Sequence, residues 1–332
     1  MNVSFFRTLK KPYLIAECGI NHNGSLAIAK KMILEAKKAG ADAVKFQYFQ
    51  KDRLINPYVQ DATGVIKILS QYFMTAKFAR DVKVFSDKAG ITCFFTPFDV
   101  DAVDVLEKLD MKLYKIASGD IVNHHLQEKI CKTGKPVIFS TGAATLKETD
   151  EAFHFMKKRT QDLCVLHCVS LYPAKPDEMN LRTVPFLSKR YGIVAGLSDH
   201  TMGDVSAVVS VGLGGKVVEK HFTLDRNMSG PDQKLSCNPK ELAALRKSLD
   251  EAFLTLGKQG KTPLKKELEG NEWGRRSIVA VKDIAKGNVI NAEDLDLLRP
   301  RRGLSAEEFG LVIGKKAKRN ITVGEWISKK DF

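Results

Sequence analysis

The 332-residue sequence has no run approaching 18 apolar residues, so no spanning helix is expected. Its first residues, MNVSFFRTLKK, are too short and too mixed to read as a signal peptide. The six cysteines (Cys18, Cys93, Cys131, Cys164, Cys168 and Cys237) are scattered. Cys164 and Cys168 stand four apart in LCVLHC with nothing to complete a ligand set. The cysteines therefore read as small buried hydrophobes in a reducing cytoplasm rather than as a disulfide framework. Zinc-finger, helix-turn-helix and aromatic RNA-binding signatures are also missing, so the formal charge of +14 does not argue for nucleic acid. Spread along the chain, that charge is accounted for mostly by solubility; an anionic small substrate fits it as well as nucleic acid does with less to explain, and charge alone decides nothing. The tip after the first apolar run is CGINHNG rather than GxGxxG, which counts against a dinucleotide-binding open sheet.

What is present is a repeat of one unit: a short apolar run, a polar or glycine-rich tip, then an amphipathic stretch. The apolar runs cover 13–17, 43–47, 91–95, 113–117, 136–140, 163–167, 192–196 and 216–221. Helix-like segments at 26–39, 100–109, 147–158 and 205–213 lie between them, with Ser25 and Asp99 placed as N-caps. Eight β–α units in about 250 residues predict a (β/α)8 TIM barrel. The long segment 56–87 is expected to hold a loop at 55–63 and then one long helix, and 238–256 the closing helix. The domain reading is a barrel over 1–260, a linker over 261–276 and a compact, mainly β module over 277–332.

In such a barrel, groups at the C-terminal ends of strands face the active site. Several strands here end in residues that are costly to bury unless they serve the chemistry. These are Glu17, Lys45 and Gln47 (which share a face by alternation), Lys115, Ser140, Ser198, and Glu219 with His221. Two lysines aimed at one mouth, beside hydroxyl-rich SG and STG tips, suggest a phosphate or carboxylate clamp. The alternative is that they pair structurally with Glu17 or Asp120. His200 and His221 end adjacent strands and can share a divalent metal, with Asp199 or Glu17 adding a carboxylate. General acid–base work or plain hydrogen bonding stays open for that pair.

Read together, IAECGINHNG (15–24), DAVKFQ (42–47), TPFD (96–99), KIASGD (115–120), STGA (140–143), LHCVSLYP (166–173), GLSDHT (196–201) and EKHFTLD…GPD (219–232) resemble the sialic acid synthase family. That family includes the N-acetylneuraminate, legionaminate and pseudaminate synthases. The segment KDIAKGNVI…LRPRRGL (282–304) resembles the family's antifreeze-like (SAF, β-clip) module.

The resemblance implies condensation of phosphoenolpyruvate with an open-chain N-acylated hexosamine, in a site completed by the small module of a domain-swapped homodimer partner. It implies phosphoenolpyruvate contacts at Lys45, Thr96, Lys115, Ser118, Ser140, Ser170 and Ser198. At position 170 well-known bacterial relatives carry asparagine. Gln47, Tyr172 and Asp232 would contact the sugar, Glu17 would stand near the reacting carbons, and Arg299 would reach the N-acyl group. His200 and His221 would ligate a divalent metal, Mn2+ ahead of Mg2+. Asp120 replaces the glutamate usual in KIxSGE, and Ser118–Gly119 favours the neuraminate and legionaminate branches. A Schiff-base aldolase using Lys115 or Lys45 is the rival enzyme. A non-catalytic glycan-binding barrel is the rival of another class. Neither nucleic acid nor membrane is an expected partner.

Overall fold

The computed structural model describes residues 4–50, 53–56, 58–59 and 62–332. They form two compact units, Met1–Gly257 and Lys258–Phe332.

The first unit is an eight-stranded parallel barrel, nearly closed, with helices between the strands. Its strands are β1 (Tyr13–Gly19), β2 (Ala43–Tyr48), β3 (Thr92–Pro97), β4 (Tyr114–Ile116), β5 (Val137–Ser140), β6 (Leu163–Cys168), β7 (Val194–Asp199) and β8 (Val217–His221). Their order is β3-β2-β1-β8-β7-β6-β5-β4, and β3 and β4 lie side by side to complete the ring. The strands are near-continuous apolar runs because both faces are covered, one by the barrel interior and one by helices.

Helix starts follow local chemistry. Ser25 Oγ accepts the Ile28 N–H at 3.3 Å, and Asp99 Oδ1 accepts that of Ala102 at 2.7 Å. Asn238 and Glu241 form a capping box with Pro239 in the first turn of the closing helix, Pro239–Leu256. That helix is clasped to the start of the barrel by Arg246. Its Nη1 donates to the Pro12 carbonyl at 2.8 Å and lies 3.2 Å from Asp42 Oδ2, while its Nε donates to Asp250. Asp42 Oδ2 also accepts the Leu14 N–H.

The segment expected as one long helix is two, Ala62–Leu69 and Ala76–Ala89. The break has a local cause: Thr75 Oγ1 accepts the Phe78 N–H at 3.1 Å and starts a new helix, while Tyr72 and Met74 turn into the protein. Part of the loop expected at 55–63 lies outside the described residues.

The second unit carries an antiparallel pair, β9 (Ser277–Ala280) and β10 (Leu295–Leu298), with Leu295 opposite Ala280. Single bridges, Ile284 to Ile321 and Val279 to Trp326, tie further turns to it. Its own core contains Ile278, Ile290, Leu304, Val312 and Ile327. The stretch read as a linker is not wholly extended: short helices occupy Lys265–Glu269 and Asn271–Gly274. Among the described residues, no helix is long and apolar enough to cross a membrane.

Candidate active site

Parallel register brings the polar strand ends of the barrel together. Glu17 lies opposite Lys45 on one side and His221 on the other, Gln47 opposite Thr96, and Ser198 opposite Glu219. Inside the barrel this produces a chain of buried charges. Lys45 Nζ is 2.8 Å from Glu17 Oε2 and 3.7 Å from Glu219 Oε2, and it donates to Thr96 Oγ1 at 3.0 Å. Lys115 Nζ reaches Glu219 Oε1 at 4.0 Å and donates to the Ile116 carbonyl at 3.1 Å. Ser198 Oγ donates to Glu219 Oε1 at 3.1 Å, and Gln47 Nε2 to Glu17 Oε1 at 3.3 Å. Gly19 lies just past Glu17 with φ +46°, where a side chain is strained, and a Cβ there would meet Glu17 Oε1 at 3.3 Å.

The two carboxylates are not equivalent. Burial, reinforced by the Glu219 charge, pushes the Glu17 carboxyl up to about 7 despite Lys45. Burial also opposes ionisation of Glu219, but Lys115 and Lys45 together outweigh it and hold that carboxyl below its ordinary value. Lys115 is the more easily deprotonated lysine: burial and the Lys45 charge lower it, whereas for Lys45 the two glutamates win over burial. Among the described residues, Glu219 Oε2 and Ser140 Oγ are buried without hydrogen-bond partners, and Glu17 Oε2 has only the Lys45 ammonium.

Beside it, the hydroxyls of Ser118 and Ser170 and the thiol of Cys168 converge on Gly142. A Cβ on Gly142 would lie 2.1 Å from Ser170 Oγ, 2.8 Å from Ser118 Oγ and 2.9 Å from Cys168 Sγ. The Gly142 N–H donates to Ser118 Oγ at 2.9 Å. A cavity of about 490 Å3 opens next to this cradle, lined in part by Thr141, Cys168, Ser170 and Phe186.

The histidine pair lies at the same end of the barrel. The rings of His200 and His221 have centroids 5.3 Å apart, and Tyr172 packs 4.2 Å from His200. His200 Nδ1 is 2.7 Å from the Val169 carbonyl, so it carries the proton it donates there, and in the neutral ring Nε2 keeps a lone pair. Burial, with the charges of His200 and Lys45, takes His221 down to about 3, so its ring is neutral near pH 7. Its Nδ1 is buried without a hydrogen-bond partner, and Asp232 Oδ2 is 3.9 Å away. Two neighbouring imidazoles, one of them with an orphaned nitrogen, fit a metal pair. Among the described residues no group of three or more His, Cys, Asp and Glu side chains is arranged to hold a metal ion. A third ligand from Asp199 is therefore corrected: that carboxylate faces away and binds Lys220 at 2.7 Å.

Other expected residues are placed more loosely. Asp120 accepts from Asn123 Nδ2 at 3.0 Å and, among the described residues, makes no pair with Lys45 or Lys115, so the structural alternative for it does not hold. For Lys45, the pairing with Glu17 is present. Arg299 lies exposed in the second unit, where its neighbour Arg302 binds Glu272 at 3.3 Å. His167 is a packed strand residue, its Nε2 2.6 Å from the Met179 carbonyl. Cys18 is buried and its thiol is raised well above its ordinary value by burial, which suits the structural reading. Gly142 and Cys168 are not among the site residues expected from sequence, and Glu219 enters there only as a strand end, with no role assigned. Glu219 had a signal, since it stands two residues before His221 in one strand and shares its face.

The NeuB family model matches residues 32–261, and the SAF domain model matches 275–332. The chain is 39% identical over 332 residues to the N,N'-diacetyllegionaminic acid synthase of Campylobacter jejuni, covering 96% of this chain and 99% of that one. It is 36% identical over 345 residues to a pseudaminic acid synthase of the same species, with both chains fully covered. Among solved structures, an N-acetylneuraminic acid synthetase from Leptospira borgpetersenii superposes with a TM-score of 0.74 at 34% identity, covering 78% of this chain and 90% of that one. The barrel, its charged mouth and these matches along the chain lead to one assignment: the protein belongs to the NeuB family, with a C-terminal SAF domain.

Proposed function

We propose that the chain condenses phosphoenolpyruvate with an open-chain N-acylated mannosamine-type sugar and water, giving phosphate and a nine-carbon sialic acid of the neuraminate or legionaminate type. The carrying observation is the inner cluster, in which two buried ammonium groups, Lys45 and Lys115, stand with Glu17 and Glu219 while Glu219 Oε2 and Ser140 Oγ lack hydrogen-bond partners among the described residues. Buried polar atoms are ordinarily satisfied: the two ammonium groups and the Ser140 hydroxyl can donate to an anionic substrate, and a sugar hydroxyl or the reacting water can donate to the carboxylate oxygen left without a partner. Family membership and the legionaminic, pseudaminic and neuraminic synthase relatives support the same class of reaction.

In this reading Lys45, Thr96, Lys115, Ser118, Ser140, Ser170 and Ser198 hold the phosphate and carboxylate of phosphoenolpyruvate. Gln47, Asp120, Tyr172 and Asp232 orient the sugar. A divalent metal, Mn2+ ahead of Mg2+, held by His200 and His221, supplies Lewis acidity toward the aldehyde carbonyl. C3 of phosphoenolpyruvate bonds to the aldehyde carbon, while the lysines stabilise charge beside the phosphate. Water adds at C2, with Glu17 positioned to accept its proton, because a carboxyl titrating near neutrality is suited to that transfer. The C2–O bond to phosphate then breaks. Of the two protons of that water, one ends on the new sugar hydroxyl and the other on phosphate.

The reading assigns catalysis to residues 1–260 and completion of the site to 277–332 of a second copy, through Arg299, in a domain-swapped homodimer. Six buried free cysteines suit a reducing cytoplasm.

Phosphate release from phosphoenolpyruvate with Mn2+ tests the proposal, comparing N-acetylmannosamine with 2,4-diacetamido-2,4,6-trideoxymannose. Turnover that requires one of these sugars is expected. Folded, metal-loaded protein silent with both would overturn the stated acceptor class. Borohydride trapping of a lysine adduct would instead identify the aldolase route.

A further inference from the structure

Asp199 and Lys220 adjoin the paired histidines in sequence but take no part in the reaction above. They alternate with the inward-facing Ser198 and Glu219, so they point away from the barrel interior. Their side chains are nonetheless 0% and 3% exposed. Lys220 Nζ donates to Asp199 Oδ2 at 2.7 Å and to the Thr201 carbonyl. Asp199 Oδ1 accepts from the Thr201 N–H at 2.9 Å and from its hydroxyl at 2.8 Å.

This arrangement grips His200 from both sides, because its neighbours 199 and 201 are tied to one ammonium group. It also joins the end of β7 to β8 one residue before His221, where Asp199 and Lys220 lie opposite each other. His200 has further anchors: its carbonyl accepts the Ala174 N–H at 3.1 Å, and its ring donates to Val169. Among the described residues His221 Nδ1 has no hydrogen-bond partner, so the ring is placed by its strand end and by packing against Tyr172 and His200.

Stability alone is a weak reason for two buried charges, since a well-packed apolar pair commonly serves as well or better. Geometry is a stronger one. Metal ligands must be placed within a few tenths of an ångström, and groups behind them commonly set that placement. We propose that Asp199 and Lys220 are a positioning pair that fixes the spacing and orientation of His200 and His221 for a divalent cation. The inference rests on the metal reading of those histidines given above.

The test is Mn2+ binding to the metal-free full chain, followed by electron paramagnetic resonance, with thermal melting in parallel. In Asp199→Leu/Lys220→Met the charges leave together. The variant is expected to stay folded and to bind Mn2+ about 10- to 100-fold more weakly, with an altered spectrum of the bound ion. Lys220→Arg, which keeps the charge, is expected to recover part of the affinity. Wild-type affinity and spectrum in the folded double variant would overturn the proposal. Should the double variant not fold, Thr201→Val decides: it removes one hydrogen bond to Asp199 and is expected to weaken Mn2+ severalfold, and unchanged binding would overturn the proposal. His200→Ala and His221→Ala separate the two readings. If wild type binds no Mn2+, or these variants keep it, the metal reading itself fails.

Discussion

Glu219 and Lys220 are neighbours in β8, both buried and both charged, yet their surroundings differ in kind. Lys220 faces outward and is matched: one carboxylate and one carbonyl receive its protons. Glu219 faces inward, where two lysines share it at 3.7 and 4.0 Å and one of its oxygens has no hydrogen bond. The outer pair has the completeness of a structural element. The inner group shares its charges among several partners, and its incompleteness marks where a substrate belongs. Burial therefore does not separate the groups that meet substrate from those that hold other groups in place; hydrogen-bond satisfaction does.

The comparison would be sharpened most by removing an inner charge. Lys115→Met is expected to lower kcat/KM for phosphoenolpyruvate about 1000-fold. Its melting temperature should stay within a few degrees of wild type. A large stability loss with activity retained would break the distinction.

For the outer pair a stability cost accompanies the effect on metal placement. Lys220→Met alone strands Asp199 and is expected to cost about 3–5 kcal/mol in urea unfolding. A wild-type denaturation midpoint would show that this pair is not the closed unit described.

Acid–base behaviour gives a third test. Glu17 titrates higher in the folded barrel, near 7, than its ordinary 4.5, so the folded state holds the proton more tightly. Its contribution to stability is full below pH 4.5 and is lost as pH rises to about 7, at most about 1.4 kcal/mol per pH unit within that window. Glu219, whose folded value is depressed, works oppositely: its contribution is lost as pH falls below its ordinary value. Unfolding titrations of wild type and Glu17→Gln should therefore differ in slope between pH 4.5 and 7 and run parallel above it. The smallest expected effect comes from a side chain whose only role here is a helix cap. Asn238→Ala removes the cap of the closing helix, should cost about 1 kcal/mol, and should leave turnover unchanged.

Much of this was legible in the sequence because local signals and barrel geometry agree. Apolar runs located all eight strands, and Ser25 and Asp99 announced their helices through side-chain caps. Alternation placed Lys45 with Gln47, and adjacency of strand ends placed His200 with His221. What the sequence did not reveal depends on pairings between distant segments. Asp199 looked like a metal ligand because its partner lies 21 residues on, in register across another strand. Thr75 looked like part of a continuous helix because a mid-pattern threonine starts a new one only where the chain turns. The Gly142 cradle depends on loops from three strands meeting, which no single motif displays.

The clasp at Arg246 has a consequence for how the barrel comes apart. One guanidinium joins the carbonyl before β1, the acid before β2 and an acid on the last helix of the first unit. The opening and closing segments of that unit are thus hitched at a single point, so neither can peel away while the other stays in place. Amide exchange in Tyr13–Gly19 and Pro239–Leu256 should report one shared opening event, and a protease should find no early nick at either segment.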